Sequence, residues 1–323
     1  MKKTTLSLLM LFICLWACAQ DGTVMTLEYT SRVKQFNLWP DGAPNSNGIT
    51  APETDLGLYV ANVTKPVLTV YVPKHPNGLA VIACPGGSYI HVWQGTEGHN
   101  MANWYNSHGV TYAVLKYRLP NGHCDVPVSD VYRAMKIMKA HSEELAVKRL
   151  GIQGCSAGGH LAATAATHYI SQAERPDFQI LFYPVISFDP AFTHKDSRDN
   201  LIGKNASELQ VRLYSNELQV TADTPPAFIA ASTDDTTVPV RNSMEYYNAL
   251  LANNVPAALL LFPTGGHGWV GNIAFAYRQA WKQALATWLQ QQSNEMKRVS
   301  LHWKSHSALP PLTNRNLLLL ATT

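Results

Sequence analysis

The chain has 323 residues, 46% hydrophobic and 15% charged, a balance that excludes disorder on a large scale and suits one large α/β domain better than two small ones. Its formal net charge is +3, and two of the positive charges are Lys2 and Lys3 at the extreme N-terminus, so no basic patch points to nucleic acid. Five cysteines are too few for a disulfide scaffold, and no Cys or His spacing, H-E-x-x-H included, marks a metal site; neither metal nor cofactor is expected.

The first segment, "MKKTTLSLLMLFICLWACAQ", has a basic start, an apolar stretch from Leu6 to Trp16 and small residues at its end. It reads as a secretory signal over residues 1–19, its apolar part being too short to span a bilayer as a stable helix. A cut at Ala17-Cys18-Ala19 releases a soluble exported protein, periplasmic or extracellular; a cut before Cys18 instead leaves that cysteine lipidated, an alternative that the bulky Trp16 disfavours.

Next, "LWPDGAPNSNGITAPE" reads as extended loop. From Leu58 the apolar pattern alternates between strands (58–63, 67–72, 79–84, 110–117, 150–155, 178–183, 227–232, 257–262) and helices near 97–107, 127–141, 157–169, 241–253 and 272–291. Such alternation implies a mostly parallel sheet with helices on both faces, filling a domain over residues 20–292. Residues 187–224 interrupt it with "FTHKDSRDNLIG" and "RLYSNEL" and read as a short cap insertion that roofs the site. Beyond residue 292 the tail 293–323 loses the rhythm, turns basic and carries a double proline, so disorder or loose attachment is expected.

Ligands of such sheets bind at the carboxyl ends of the strands, so the residues just after each strand carry the functional signal. In "GIQGCSAGGHLAA", Ser156 stands between an apolar strand and a helix, flanked by Gly154 and Gly158 in the G-x-S-x-G pattern of a nucleophile elbow. A serine hydroxyl is a weak nucleophile and needs a base, an acid that orients the base, and donors for the oxyanion. "TDDTTVPV" after the 227–232 strand supplies Asp235, and "PTGGHGWV" after the last strand supplies His267, in the chain order Ser, Asp, His of the α/β-hydrolase fold. "CPGGSYIHVW" supplies the backbone N–H groups of Gly87 and Ser88, joined by that of Ala157.

Structural duties compete for the same residues. Asp234 and Asp235 also suit capping of the helix near Arg241, and His267 suits an ordinary loop. Tyr89, Trp93 and Trp269 fit a sugar platform and a core equally well. His160 reads as packing helix on sheet, Asp130 and Arg133 as an intrahelical ion pair or cap, and Cys84 and Cys155 as buried free thiols.

Taken together, "LWPDGAP", "NVTKPVLTVYVP", "PGGSYIHVWQGTEG", "VLKYRLP", "GCSAGGHLA", "THKDSRDNLIG", "TPPAFIAASTDDTTVPVRNS" and "GGHGW" resemble the secreted α/β-hydrolase esterases of gut and rumen bacteria that include acetyl-xylan esterases. The similarity runs from about Leu38 to about Gln291. It implies Ser156 as nucleophile, Asp235 and not Asp234 as acid, His267 as base, and short acyl esters on xylan or related plant carbohydrates as substrates. Ser88 departs from the family loop, which usually has a third glycine there. An exopeptidase on the same fold and a general short-chain carboxylesterase are the alternatives.

Overall fold

The computed structural model describes residues 27–307, with side chains to residue 295; residues 1–26, which include the segment read as a secretory signal, and residues 308–323 lie outside the described residues. Val67–Pro73 (β4), Leu79–Cys84 (β5), Thr111–Lys116 (β7), Arg149–Cys155 (β8), Gln179–Phe182 (β9), Ala227–Ser232 (β10) and Ala257–Phe262 (β11) are the apolar runs of the sequence, and β5, β9 and β10 are buried along their whole length. With Thr30–Asn37 (β1) they form one eight-stranded sheet in the order β1-β4-β7-β5-β8-β9-β10-β11. β1 and β4 pair antiparallel, as do β4 and β7; every pairing from β7 to β11 is parallel.

Strand alternation divides β5 between two cores. Ala80, Ile82 and Cys84 point into the core under helices Asp125–Ala140 (α2), Ser156–Thr167 (α3) and Arg241–Ala252 (α6). Leu79, Val81 and Ala83 point to the opposite face, covered by Ala102–Ser107 (α1) and by Trp281, Leu285, Trp288 and Leu289 of Arg278–Ser307 (α7). Each fully buried side chain of this size contributes roughly 1.5–3 kcal/mol. The remaining helices, Lys195–Ile202 (α4) and Glu208–Leu213 (α5), lie in the insertion at 187–224.

Three elements differ from the sequence expectation. β1 has a polar, mostly exposed sequence, TSRVKQFN, and forms only because β4 offers it an edge; Arg32 and Lys34 on that edge guard against further pairing. Of the strand expected at 58–63 only Val60–Ala61 (β3) is extended, because Gly57 and Asn62 take positive φ values of 83° and 54° on either side. β3 pairs instead with Thr54–Asp55 (β2) and His91–Val92 (β6) in a separate three-stranded sheet. α7 starts six residues later than 272 and continues to Ser307, with Glu295 paired to Arg149 at 2.9 Å.

A fourth correction concerns Asp130. Its partner is Arg118 (2.7 Å), not Arg133, and it also accepts the Trp39 indole N–H (2.7 Å) and the Arg118 backbone N–H (2.8 Å). Arg133 donates to the Leu38 carbonyl and lies over the Trp39 ring. The Arg118–Asp130 pair is fully buried, so losing one partner would strand a charge, at roughly 3–5 kcal/mol.

Candidate active site

β8 delivers its chain to α3 through Ser156, whose φ of 54° is left-handed, the strained turn that lifts a side chain off the sheet end. A glycine at 158 is obligatory here, since a Cβ on it would stand 2.0 Å from the Cys84 carbonyl oxygen. The close approach brings the end of β5 against the start of α3.

Ser156 Oγ lies 2.8 Å from His267 Nε2, and His267 Nδ1 lies 2.7 Å from Asp235 Oδ2. The other Asp235 oxygen accepts the Thr237 and Val238 N–H groups, both at 2.9 Å, which fixes the carboxylate in its loop. Nδ1 therefore donates to the carboxylate and Nε2 is left to accept the serine proton. Asp234 points elsewhere. It takes the Gly266 N–H at 2.8 Å and the Gly265 N–H at 3.1 Å, bonds that hold its carboxyl below the usual carboxylate range and fasten the loop carrying His267.

After β5 the backbone folds into a tight loop in which Gly87 has φ +127° and Ser88 and Tyr89 have φ 55° and 62°. A Cβ at 87 would sit 2.3 Å from the His91 carbonyl oxygen, so only glycine fits. The Gly87 carbonyl accepts from Ile90 and His91, whereas the Gly87 and Ser88 N–H groups have no protein acceptor among the described residues. Ala157 lies in the first turn of α3, where a helical N–H has no intrahelical partner. Asn200 of α4 donates to the Ser88 carbonyl at 2.8 Å, so the insertion reaches this loop. His194, at the start of α4, is close enough to feel the charges of His267 and Asp235, and burial lowers its pKa.

Of the three aromatic residues expected near the substrate, Tyr89 and Trp269 are core: each is 1% exposed and can face no sugar. Tyr89 donates to His160 Nδ1 (3.0 Å), and Trp269 packs among Phe182, Tyr183, Phe262 and Phe275. Trp93 alone stays partly open, against Tyr59 at 4.8 Å, and Tyr59 also meets His91 at 4.6 Å. Tyr59 belongs to the segment that the sequence reads as plain strand, so nothing in its pattern gave it away.

His160 joins α3 to the insertion more than to the sheet. Its Nε2–H donates to the Tyr214 carbonyl (2.8 Å), its ring stacks on Phe188 at 4.3 Å, and burial drives its pKa down to about 3. Cys84 and Cys155 are free and buried. Sequence reasoning missed Glu97 and Tyr183. Glu97 is buried and accepts the Gly86 N–H (2.7 Å) and the Tyr183 hydroxyl (2.9 Å). Tyr183 in turn sets its ring edge-on to His267 at 4.8 Å. No group of His, Cys, Asp and Glu among the described residues is arranged to hold a metal, and no described helix is long and apolar enough to cross a membrane.

Residues 84–271 match the alpha/beta hydrolase fold family, and the chain belongs to it. Within that family it is similar to an acetylxylan esterase of Xylanibacter ruminicola, 36% identical over 232 residues that make up 70% of this chain and 48% of the relative. It is also similar to endo-1,4-beta-xylanase B of Butyrivibrio fibrisolvens, 32% identical over 58% of this chain and 32% of that one. The chain thus spans about half, or less, of the length of these two relatives. Among solved structures it resembles the acetyl ester-xyloside bifunctional hydrolase of Caldicellulosiruptor lactoaceticus, with a TM-score of 0.68 and 32% identity, over 80% of this chain and 96% of the other.

Proposed function

We propose that the chain is an exported serine esterase that removes small acyl groups, chiefly acetyl, from xylan or related plant carbohydrates through an acyl-enzyme. The observation that carries this reading is the unbroken bonded line Ser156–His267–Asp235 at the ends of three parallel strands. In this mechanism His267 takes the Ser156 proton as Oγ attacks the ester carbonyl, and Asp235 holds the imidazole in the required tautomer and balances its charge. The Gly87, Ser88 and Ala157 N–H groups receive the oxyanion, and His267 returns the proton to the departing sugar hydroxyl. Water then repeats the sequence against the acyl-serine.

The carbohydrate assignment draws on the relatives' names, an acetylxylan esterase, a xylanase and an acetyl ester-xyloside hydrolase. It also draws on the insertion, whose Asn200 sets a polar wall against Ser88. A long acyl chain gains about 0.8 kcal/mol for each buried methylene, and a polar wall gives it little to bury against. The test is kcat/KM for p-nitrophenyl acetate, butyrate and octanoate, an aminoacyl anilide beside them, and acetate release from acetylated xylan. Acetate is expected first and the anilide inert; preference for octanoate with no acetate from xylan would reduce the reading to a general carboxylesterase.

A further inference from the structure

Buried beneath the candidate site is a second carboxylate that the Ser-His-Asp line does not use. Glu97 Oε2 accepts the Gly86 N–H at 2.7 Å, one residue before the loop that carries Gly87 and Ser88. Its Oε1 accepts the Tyr183 hydroxyl at 2.9 Å, and the Val270 N–H donates to that same hydroxyl oxygen at 3.4 Å. Both Glu97 oxygens thus face donors, the bonding pattern of the ionised form. The carboxylate and Ser156 both border Gly86: a Cβ built on that glycine would lie 2.8 Å from Glu97 Oε2 and 2.8 Å from Ser156 Cβ. Tyr183, with the strained φ of 37°, brings its ring against His267 from the end of β9.

We propose that Glu97 is a positioning residue, its buried charge holding Gly86 at the entrance of the oxyanion loop and, through Tyr183, steadying His267 in the imidazolium form that arises when Ser156 loses its proton. The proposal rests on the esterase reading above. Two elements meet on this one side chain, the loop after β5 and the end of β9, and the turn around Val270 joins them through the Tyr183 hydroxyl. The titratable groups around Glu97 are Tyr183, Tyr117, Cys155 and His267; those around His267 are Asp235, Glu97 and His194. The tyrosines and the cysteine are neutral wherever an ester hydrolase works, because burial pushes all three upward. Glu97 and Asp235 are then the two negative charges near the positive charge that forms on His267 when it takes the Ser156 proton.

Glu97→Gln keeps the size and removes the charge. For p-nitrophenyl acetate, kcat should fall about tenfold, the loss expected when one preorganised electrostatic contact worth about 1.4 kcal/mol is removed. KM should hold, because the charge that Glu97 steadies on His267 arises only after Ser156 gives up its proton and not in the bound ground state. A merely structural glutamate would disturb substrate binding along with turnover, so a KM that rises in step with the fall in kcat overturns the proposal, as does unchanged kcat. Should this variant not fold, Tyr183→Phe decides: the ring against His267 stays, the hydroxyl link goes, and kcat should fall with KM unchanged, unchanged kcat being the overturning result. Ester hydrolysis by the wild type and its loss in Ser156→Ala test the esterase reading separately, so the two fail distinguishably.

Discussion

The floor of the candidate site and the insertion above it are held by different physics. The floor consists of strand ends whose backbones are strained, with Ser88, Tyr89, Ser156 and Tyr183 all at positive φ, each at roughly 1–3 kcal/mol. Apolar packing of the strands beneath holds that strain in place. The insertion instead hangs on a set of hydrogen-bonded, buried polar side chains. Asn242 takes the Ile186 and Ser187 N–H groups and donates to Phe192, Asn216 donates to His160, Ser215 takes the Phe188 N–H, and His160 donates to Tyr214. A floor that stores strain needs rigidity, whereas a cover fixed by hydrogen bonds is specified in position and depends on every partner being present.

The comparison breaks most sharply at the floor. Ser156→Ala should abolish ester hydrolysis, with a loss on the order of 10⁴–10⁶ in kcat, while relief of a left-handed serine does little for the fold because alanine inherits the same φ. Steady-state kinetics on the folded variant check this, and activity within tenfold of the parent would remove Ser156 from the mechanism.

Asp235 and Asp234 are adjacent, follow the same strand and divide the same two duties. Asp235→Asn should cut kcat by about 10⁴, since an amide neither balances the imidazolium nor enforces the tautomer. Asp234→Asn should act more gently, by loosening Gly265 and Gly266, because one amide oxygen replaces two accepting oxygens. The reverse ranking would exchange their roles.

How much of this was legible in the sequence follows the same division. The floor was readable because parallel strands buried on both faces are written as unbroken apolar runs, and because the strand-end motifs around Ser156, Asp235 and His267 are local. The β1 edge strand was not, since its polar residues gain a strand only from pairing with β4. Glu97 and Tyr183 lie in segments with no motif, and the contact that joins them spans the fold. Tyr89 and Trp269 sit beside readable motifs yet turn inward, a choice made by packing and invisible to spacing. The inferred roof was placed correctly as an interruption, but its clamps join Asn, Ser and His residues far apart in the chain.

The polar clamp should reveal itself in acid. His160 is neutral when folded, with a pKa of about 3, whereas in the unfolded chain it takes a proton near its ordinary 6.5. Its contribution is therefore present above pH 6.5 and lost progressively as pH falls toward 3, by about 1.4 kcal/mol per pH unit. His99, lowered by burial to about 4, adds to the slope over its own range. His160→Leu should lose roughly 1–3 kcal/mol at pH 7, from the unpaired Tyr214 carbonyl and Tyr89 hydroxyl, yet show a shallower decline between pH 6.5 and 5. Urea midpoints at three pH values measure both; a decline as steep as the parent's would show that this histidine is not the acid-sensitive joint.

The smallest effect is the one that sharpens the contrast furthest. If the floor stores free energy for function, Glu97 should weaken the fold while serving the site. Burial is the largest influence on its carboxyl and raises its pKa above 4.5, with the Gly86 and Tyr183 hydrogen bonds and His267 pulling the other way. A carboxyl whose folded pKa is raised holds its proton more firmly in the native state, so its contribution is complete below pH 4.5 and is lost as pH climbs through the folded value. Glutamine does not titrate. The stability of Glu97→Gln relative to the parent should therefore rise from pH 4 to pH 8, whatever the constant offset from its changed hydrogen bonds, while ester turnover falls. The parent and the variant share every histidine, so the acid slope from His160 cancels in the difference. A difference independent of pH would mean that the floor carries Glu97 without penalty, and the trade between strain beneath and satisfied bonds above would then rest on the backbone alone.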